Sequence, residues 1–437
     1  MERHSPFALI FALTFSFYSI NAQERSSGLE TRPRTVSQLQ QSQAPTGPTK
    51  TAETQSQGNS QRSDSSSSAV TRPAIEANVP QGQTTEATPA LAPSGIHSRI
   101  AEAERLMKTR PQQTALTSPS IDFVTIAALD RTTSRIQLFT VLKQPFLTKN
   151  SELNVLGSQG TPATLRILRA NGVNTALTLF DNAGHALLPL VVEFPIEKGG
   201  VFREMAYYTS AHPALLSNDL THSGQGYVRS MLDLAAKRLR EKGAFVSPQI
   251  VDVAERLCVV EHVDHDRFRA ENRLALFDEI YSLYALNELD TYRYSVSFAG
   301  AGGMVQMIPW AYNLIRQRHP GVGLTPDFVG GMRNHSNALQ AMLLYMQDTW
   351  NDLVANPDVK AALDSKTATP TELLAAGYNS NAAKLPLYLR RGGDAWRSLI
   401  PRETQTYLQI YKSFESLVPL KQRVGEQTAG VSSGADK

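Results

Sequence analysis

A glutamate at the end of an apolar helical stripe is the first candidate for chemistry. Glu288 follows Phe277, Ile280, Tyr281 and Tyr284 at spacings of three and four residues, which places it at the C-terminal end of one helix face. A carboxyl there is expected to be desolvated and to lie at the negative end of the helix dipole, and both effects disfavour its charged form. Such a group suits general acid catalysis. The alternative is an exposed Glu at a fraying helix end.

A glycine-rich segment, SFAGAGGMVQMIP at 297–309, follows this glutamate. Together with Glu288 it resembles the signature of lytic transglycosylases that have the soluble-transglycosylase, goose-lysozyme-like fold. That family has a catalytic Glu, a Ser nine positions later, and a GAxGLMQ motif that ends eighteen positions after the Glu. Ser297 and Gln306 occupy those two positions, and Pro309 closes the motif.

Two later segments extend the resemblance across roughly 100 residues. The segment AAGYNSN is similar to the family's AYNAG motif, with Tyr378 and Asn379 in register. The segment NHSNALQAMLLYM is similar to the family's N-I-x-x-G-x-x-Y-L helix and matches it at Asn337 and Tyr345.

The chain departs from the family pattern beside the predicted catalytic residue. Leu289 stands where the family has Ser, which removes a hydroxyl from the cleft, and Thr291 stands where it has Phe. Gly377, Asn381 and Ala341 are the other departures. These differences leave open how the sugar is positioned.

The resemblance implies a peptidoglycan lytic transglycosylase that needs no cofactor. Glu288 would protonate the glycosidic oxygen between N-acetylmuramic acid and N-acetylglucosamine, with help from the muramoyl N-acetyl group. It would then deprotonate the muramoyl 6-hydroxyl, which gives a 1,6-anhydro product. The resemblance assigns substrate contacts to four residues: Ser297, Gln306, Tyr378 and Asn379. Tyr345 is expected to support them.

Two other classes of function remain open. The first is a non-catalytic glycan-binding or scaffold protein on the same fold, which the departures at Leu289 and Thr291 would fit. The second is a metal-dependent envelope hydrolase that uses the cluster EHVDHD at 261–266. The spacing of this cluster matches no known ligand motif, so no metal is predicted. We expect Glu261 and His262 to belong to a buried polar network behind the catalytic helix or to a solvated helix end.

Hydrophobic periodicity predicts an α+β protein in which a small antiparallel β module precedes an all-α, lysozyme-like catalytic domain. Short runs rich in β-branched and aromatic residues, separated by turn signals, place the β module, a sandwich or barrel, at 95–200. Helical patterns fill 201–424, with Ser247 as an N-cap and Pro248 at a first helical position. One further helical pattern spans 304–318 and includes Gln306.

The rest of the 437-residue chain limits location and partners. Residues 1–22 are typical of an export signal, with an uncleaved membrane anchor as the alternative, and 23–94 read as a disordered tether rich in Gln, Ser, Thr and Pro. A disordered tail is expected at 425–437. The net charge of +3 gives no reason to expect a nucleic-acid partner. Cys258 is the only cysteine, so the chain can form no intramolecular disulfide, and its thiol is expected to be buried and inert. Export without disulfides fits a bacterial envelope or periplasmic protein. Peptidoglycan strands are the predicted partner, and the β module could contact another envelope protein.

Overall fold

A computed structural model describes residues 93–110, 120–297 and 299–423 of the chain. The predicted export signal, nearly all of the predicted tether and the predicted tail lie outside these residues. The described part is a mixed α/β structure in which a curled antiparallel sheet is combined with α-helices. Over the same residues, no helix has both the length and the apolar character that a membrane span requires.

The sheet has seven strands, ordered β2-β1-β6-β5-β4-β3, with β7 paired to β6. Every pairing is antiparallel, and an isolated bridge from Phe139 in β2 to Gly157 brings the two ends of the curled sheet together. The strands are β1 (Phe123–Asp130), β2 (Arg135–Leu142), β3 (Glu152–Leu156), β4 (Pro162–Arg169), β5 (Ala176–Asp181), β6 (Ala186–Lys198) and β7 (Val201–Tyr208).

Thirteen α-helices lie within the described ranges. They are α1 (Pro93–Thr109), α2 (Lys143–Phe146), α3 (Asn218–Glu241), α4 (Pro248–Val260), α5 (His265–Ala270), α6 (Arg273–Asn287), α7 (Pro309–Arg318), α8 (Phe328–Arg333), α9 (His335–Val354), α10 (Pro357–Asp364), α11 (Pro370–Asn379), α12 (Leu385–Gly392) and α13 (Arg402–Leu417).

The sheet is buried on both faces, because side chains alternate along each strand. In β1, Val124 and Ile126 pack into a core inside the curled sheet. Ala127 and Leu129 of the same strand face a second core that also contains residues from α1, α3 and α6. The β module therefore does not stand apart from the helices, and its seventh strand lies beyond the boundary expected at residue 200.

The sequence-based prediction is correct for the start of α4 but not for the glycine-rich segment. Ser247 caps α4 by accepting a hydrogen bond from the Ile250 backbone N–H, and Pro248 occupies the first turn, as predicted. The prediction of a helix over 304–318 was wrong at its start, because α7 begins at Pro309. Gln306 instead lies in a turn with a φ of 46°. It is therefore not a helical residue.

The helices share one large core in which most of α4 and the N-terminal half of α9 are buried. Cys258 of α4 is in this core, and burial raises the pKa of its thiol, which agrees with the expectation of an inert cysteine. Since α4 runs through the core, its C-terminal end emerges where several other elements meet. That end carries Glu261.

Candidate active site

Glu261 is the C-cap of α4, and the pKa of its carboxyl is raised well above the usual value. The Tyr407 hydroxyl, from α13, donates a hydrogen bond to Glu261 Oε1 at 2.5 Å. The pKa of Glu261 is raised to about 8, mainly because burial desolvates the carboxyl; the Tyr407 hydrogen bond lowers the pKa, and the charge of Glu403 raises it by a smaller amount. A carboxyl with this pKa is mostly protonated at pH 7.

Tyr378, at the end of α11, lies in the same site. Its hydroxyl donates to the Val305 carbonyl at 2.7 Å. Burial raises its pKa well above the usual value, and the largest contribution from another charge comes from Glu261. Tyr345 of α9 packs edge-on against the Tyr378 ring at 5.9 Å between ring centroids. The structure thus brings Tyr378 and Tyr345 together, and Tyr378 lies near Glu261.

Asn379 ends α11 next to Tyr378. Its side-chain Oδ1 is buried and has no hydrogen-bond partner among the described residues. A buried acceptor without a partner is costly, and a polar ligand group that donates to it would remove that cost.

The glycine-rich segment forms a compact loop that supplies backbone carbonyls to this site. Isolated β-bridges pair Val296 with Gly302 and Gly302 with Met307. Gly303 has a φ of +68°, and a Cβ built on it would lie 2.3 Å from the Met332 carbonyl oxygen of α8. Only glycine meets both conditions. This glycine therefore permits close packing onto α8.

The polar residues of the loop bond mainly within it. Ser297 Oγ accepts from the Ala301 backbone N–H at 3.0 Å. The Gln306 amide donates to the Gly303 carbonyl at 2.8 Å and to Ser295 Oγ at 3.2 Å. Both residues predicted to bind substrate thus help to fix the shape of the loop, and both are half-buried.

His262 joins the loop to the end of α4. Its Nε2 lies 2.9 Å from the Met304 carbonyl oxygen, and since a carbonyl can only accept, Nε2 carries the proton. The ring stacks on Tyr292 with centroids 3.4 Å apart. Burial lowers the pKa of His262 to about 3, so it is neutral at physiological pH. Glu261 and His262, expected in a buried polar network or at a solvated helix end, have separate partners, the Tyr407 hydroxyl and the Met304 carbonyl, and His262 contacts the loop directly.

Glu288 lies in different surroundings. It is the C-cap of α6, has a φ of 45°, and is exposed, so the desolvation expected from its helical stripe is absent. Within the described ranges its carboxylate makes no hydrogen bond or ion pair with Ser297, Gln306, Tyr378 or Asn379. Its charge acts on Tyr227 of α3, whose pKa is raised mainly by burial and also by the Glu288 charge.

The residues that follow Glu288 close the end of α6. Thr291 is fully buried, and its hydroxyl donates to the Leu283 carbonyl at 3.1 Å. His335 Nε2 lies 2.8 Å from the Thr291 carbonyl oxygen, and the Tyr227 hydroxyl lies 2.8 Å from His335 Nδ1. Leu289 is 60% exposed. Thr291, a departure from the family pattern, therefore serves to secure a helix end.

The side chains of the segment 261–266 bond to different partners. Asp264 caps α5 through the backbone N–H groups of Asp266 and Arg267, and Asp266 pairs with Arg269. Across the residues that the structure describes, no group of three or more His, Cys, Asp or Glu side chains is placed to hold a metal.

Sequence reasoning missed Tyr407, the one residue whose side chain donates a hydrogen bond to Glu261 in the described structure. It lies 146 positions from Glu261. Only the helical patterns predicted over 201–424 covered this part of the chain, and helical periodicity cannot show which distant side chain a buried tyrosine contacts.

Comparison with known proteins identifies no relative: no protein-family model, curated protein or solved structure matches the chain. The chemistry of the site must therefore be argued from its own residues.

Proposed function

We propose that the protein is a peptidoglycan lytic transglycosylase and that Glu261, rather than Glu288, is its general acid and base. The observation that carries this proposal is the Glu261 carboxyl, held against the Tyr407 hydroxyl and next to Tyr378 with a pKa of about 8. An acid that keeps its proton near neutral pH can protonate a glycosidic oxygen.

A single carboxyl is sufficient for this reaction because the sugar supplies its own nucleophile, the muramoyl 6-hydroxyl. Protonated Glu261 gives its proton to the glycosidic oxygen as the bond to the muramoyl C1 breaks. The resulting carboxylate is stabilised by the Tyr407 hydroxyl and then takes the proton of the muramoyl 6-hydroxyl, whose oxygen closes onto C1. A hydrolysing glycosidase would instead require a second carboxyl to activate water or to attack the sugar.

Other residues of the site have chemistry that suits a glycan. The unpaired Oδ1 of Asn379 can accept a hydrogen bond from an acetamido N–H or a sugar hydroxyl. Trp310, at the start of α7 just after the loop, is 65% exposed and offers an aromatic face on which a sugar can stack. The lysozyme-like character of the helical part, the periplasmic location and the peptidoglycan partner remain parts of this proposal.

The experiment that tests the proposal is digestion of purified sacculi with the mature protein, followed by separation and mass analysis of the released muropeptides. We expect 1,6-anhydro products from the wild type and none from Glu261→Gln. Reducing-end products would show a hydrolase instead, and binding without release would show a scaffold protein. Loss of activity with a chelator would show a metal-dependent enzyme.

A further inference from the structure

We propose that Glu204 of β7 is a positioning residue that holds the glycine-rich loop beside Glu261, so that the sheet forms part of the scaffold of the site. This inference rests on the proposed function for its activity readout. It gives the β module a task within the same chain, whereas the sequence suggested binding to another protein.

Glu204 bonds to residues in two segments that lie next to the loop. Its Oε1 accepts a hydrogen bond from Arg333, the last residue of α8. Its Oε2 lies 3.5 Å from Arg293 Nη2 and accepts from the Tyr294 hydroxyl at 3.4 Å. Both guanidinium groups also lie over the Tyr294 ring, at 5.2 Å for Arg333 and 5.7 Å for Arg293. One carboxylate thus organises two arginines and an aromatic ring.

The Tyr294 side of this cluster leads directly into the loop. Tyr294 is 9% exposed and packs into the core inside the curled sheet. The next residue, Ser295, accepts a hydrogen bond from the Gly303 backbone N–H through its carbonyl at 3.0 Å. Its hydroxyl accepts from Gln306. A shift of Tyr294 would therefore be passed on to Gly303 and Gln306.

The Arg333 side reaches the same glycine by another route. Arg333 follows Met332, and Gly303 packs so closely on the Met332 carbonyl that a Cβ would lie 2.3 Å from it. Beyond Gly303, the Met304 and Val305 carbonyls accept from His262 and Tyr378. Glu204 therefore bonds to both segments that contact the loop: Arg293 and Tyr294 on one side, and Arg333 at the end of α8 on the other.

The charge cluster is too exposed to contribute much to overall stability. The Glu204 side chain is 31% exposed and the Arg293 side chain 35%. Ion pairs at such sites typically contribute little to overall stability. A small displacement of a catalytic loop, by contrast, can reduce a rate by roughly a hundredfold. The geometry therefore predicts a larger effect on activity than on folding.

The test compares Glu204→Ala and Glu204→Gln with the control Glu152→Gln. Glu152 pairs with Arg166 at 2.7 Å in the same sheet, with both side chains more than half exposed and no link to the loop. We expect kcat on sacculi to fall at least about tenfold in Glu204→Ala, with partial recovery in Glu204→Gln, whose amide oxygen can still accept from Arg333. The melting temperatures of all three variants should agree closely.

Hydrogen exchange supplies a readout that does not depend on activity. Glu204→Ala should speed exchange at the backbone amides of 295–307 while the strands of the sheet keep wild-type rates. Unchanged exchange in 295–307, or an equal increase throughout the sheet and helices, would overturn the inference. An inactive wild type would contradict the proposed function, and the exchange result would still decide the role of Glu204.

Discussion

Glu261 and Glu288 each follow the last residue of a buried helix, yet their carboxyls lie in opposite kinds of surroundings. Glu261 accepts a hydrogen bond from Tyr407, lies next to Tyr378 and has a pKa of about 8. Glu288 is exposed, and within the described ranges its carboxylate has no hydrogen-bond partner. The spacing of Glu288 to Gln306 fits a motif, whereas the contacts of Glu261 fit a proton donor.

The difference teaches that motif spacing and chemical environment can point to different residues. The loop that Gln306 belongs to presents its Met304 and Val305 carbonyls to His262 and Tyr378, which stand on the Glu261 side. Four chain segments, at the ends of α4 and α11, in α13 and in the loop, converge there. The segment after α6 contributes Tyr292, which stacks on His262.

The largest structural effect is expected from Gly303→Ala, which disrupts the loop on the Glu261 side. The new Cβ would meet the Met332 carbonyl oxygen at 2.3 Å on a backbone with a φ of +68°, so we expect a loss of at least about 2 kcal/mol in the free energy of unfolding. Gly300→Ala is the matched control. Its φ is +80°, but the nearest atoms, those of Pro309, lie 4.0 Å away, and the loss should be about 1 kcal/mol. Urea denaturation measures both, and equal losses would contradict the close packing.

Glu261 should also link stability to pH. The folded-state pKa of Glu261 is raised from 4.5 to about 8, so between those values the folded protein holds a proton that the unfolded chain releases. The free energy of unfolding therefore contains a contribution that falls as pH rises from about 4.5 to 8. Glu261→Gln should remove this contribution and Glu288→Gln should keep it. Urea denaturation at several pH values measures the slopes; the same slope in wild type and Glu261→Gln would refute the buried acid.

A smaller effect is expected from Tyr407→Phe. The Tyr407 hydrogen bond lowers the pKa of Glu261, so its removal should raise that pKa, and the alkaline limb of the activity profile should move up by about one pH unit. Tyr281→Phe is a suitable control because its hydroxyl is buried without a hydrogen-bond partner in the described structure. A limb that stays in place in Tyr407→Phe would mean that Glu261 does not control the rate.

Much of this architecture could be predicted from local sequence. The β-rich character of 95–200, the Ser247 cap and the helices of 201–424 follow from alternation, periodicity and capping residues, which are local properties. β7 lies beyond the range predicted for the β module, and Arg203 and Glu204 interrupt its apolar run. The family resemblance singled out Tyr378 and Tyr345 separately, and the structure packs their rings edge-on.

The raised pKa of Glu261 could not be predicted in this way. Burial of Glu261 depends on α13, which lies far along the chain and brings Tyr407 and Glu403 to it. The apolar stripe of α6 did predict a buried helix, but the helix ends before Glu288, and a φ of 45° turns the backbone away from the helical path there. Tertiary contacts therefore decided which of the two carboxyls is desolvated.

The most direct test of the central claim is the rate of anhydromuropeptide release from sacculi by Glu261→Gln and Glu288→Gln, each with the fold checked by circular dichroism. Loss of a general acid typically reduces a rate by roughly a hundred- to ten-thousandfold. We predict a loss of that size in Glu261→Gln and a rate within about threefold of wild type in Glu288→Gln. The reverse result, with Glu288→Gln inactive and Glu261→Gln active, would contradict the assignment and return the catalytic role to Glu288.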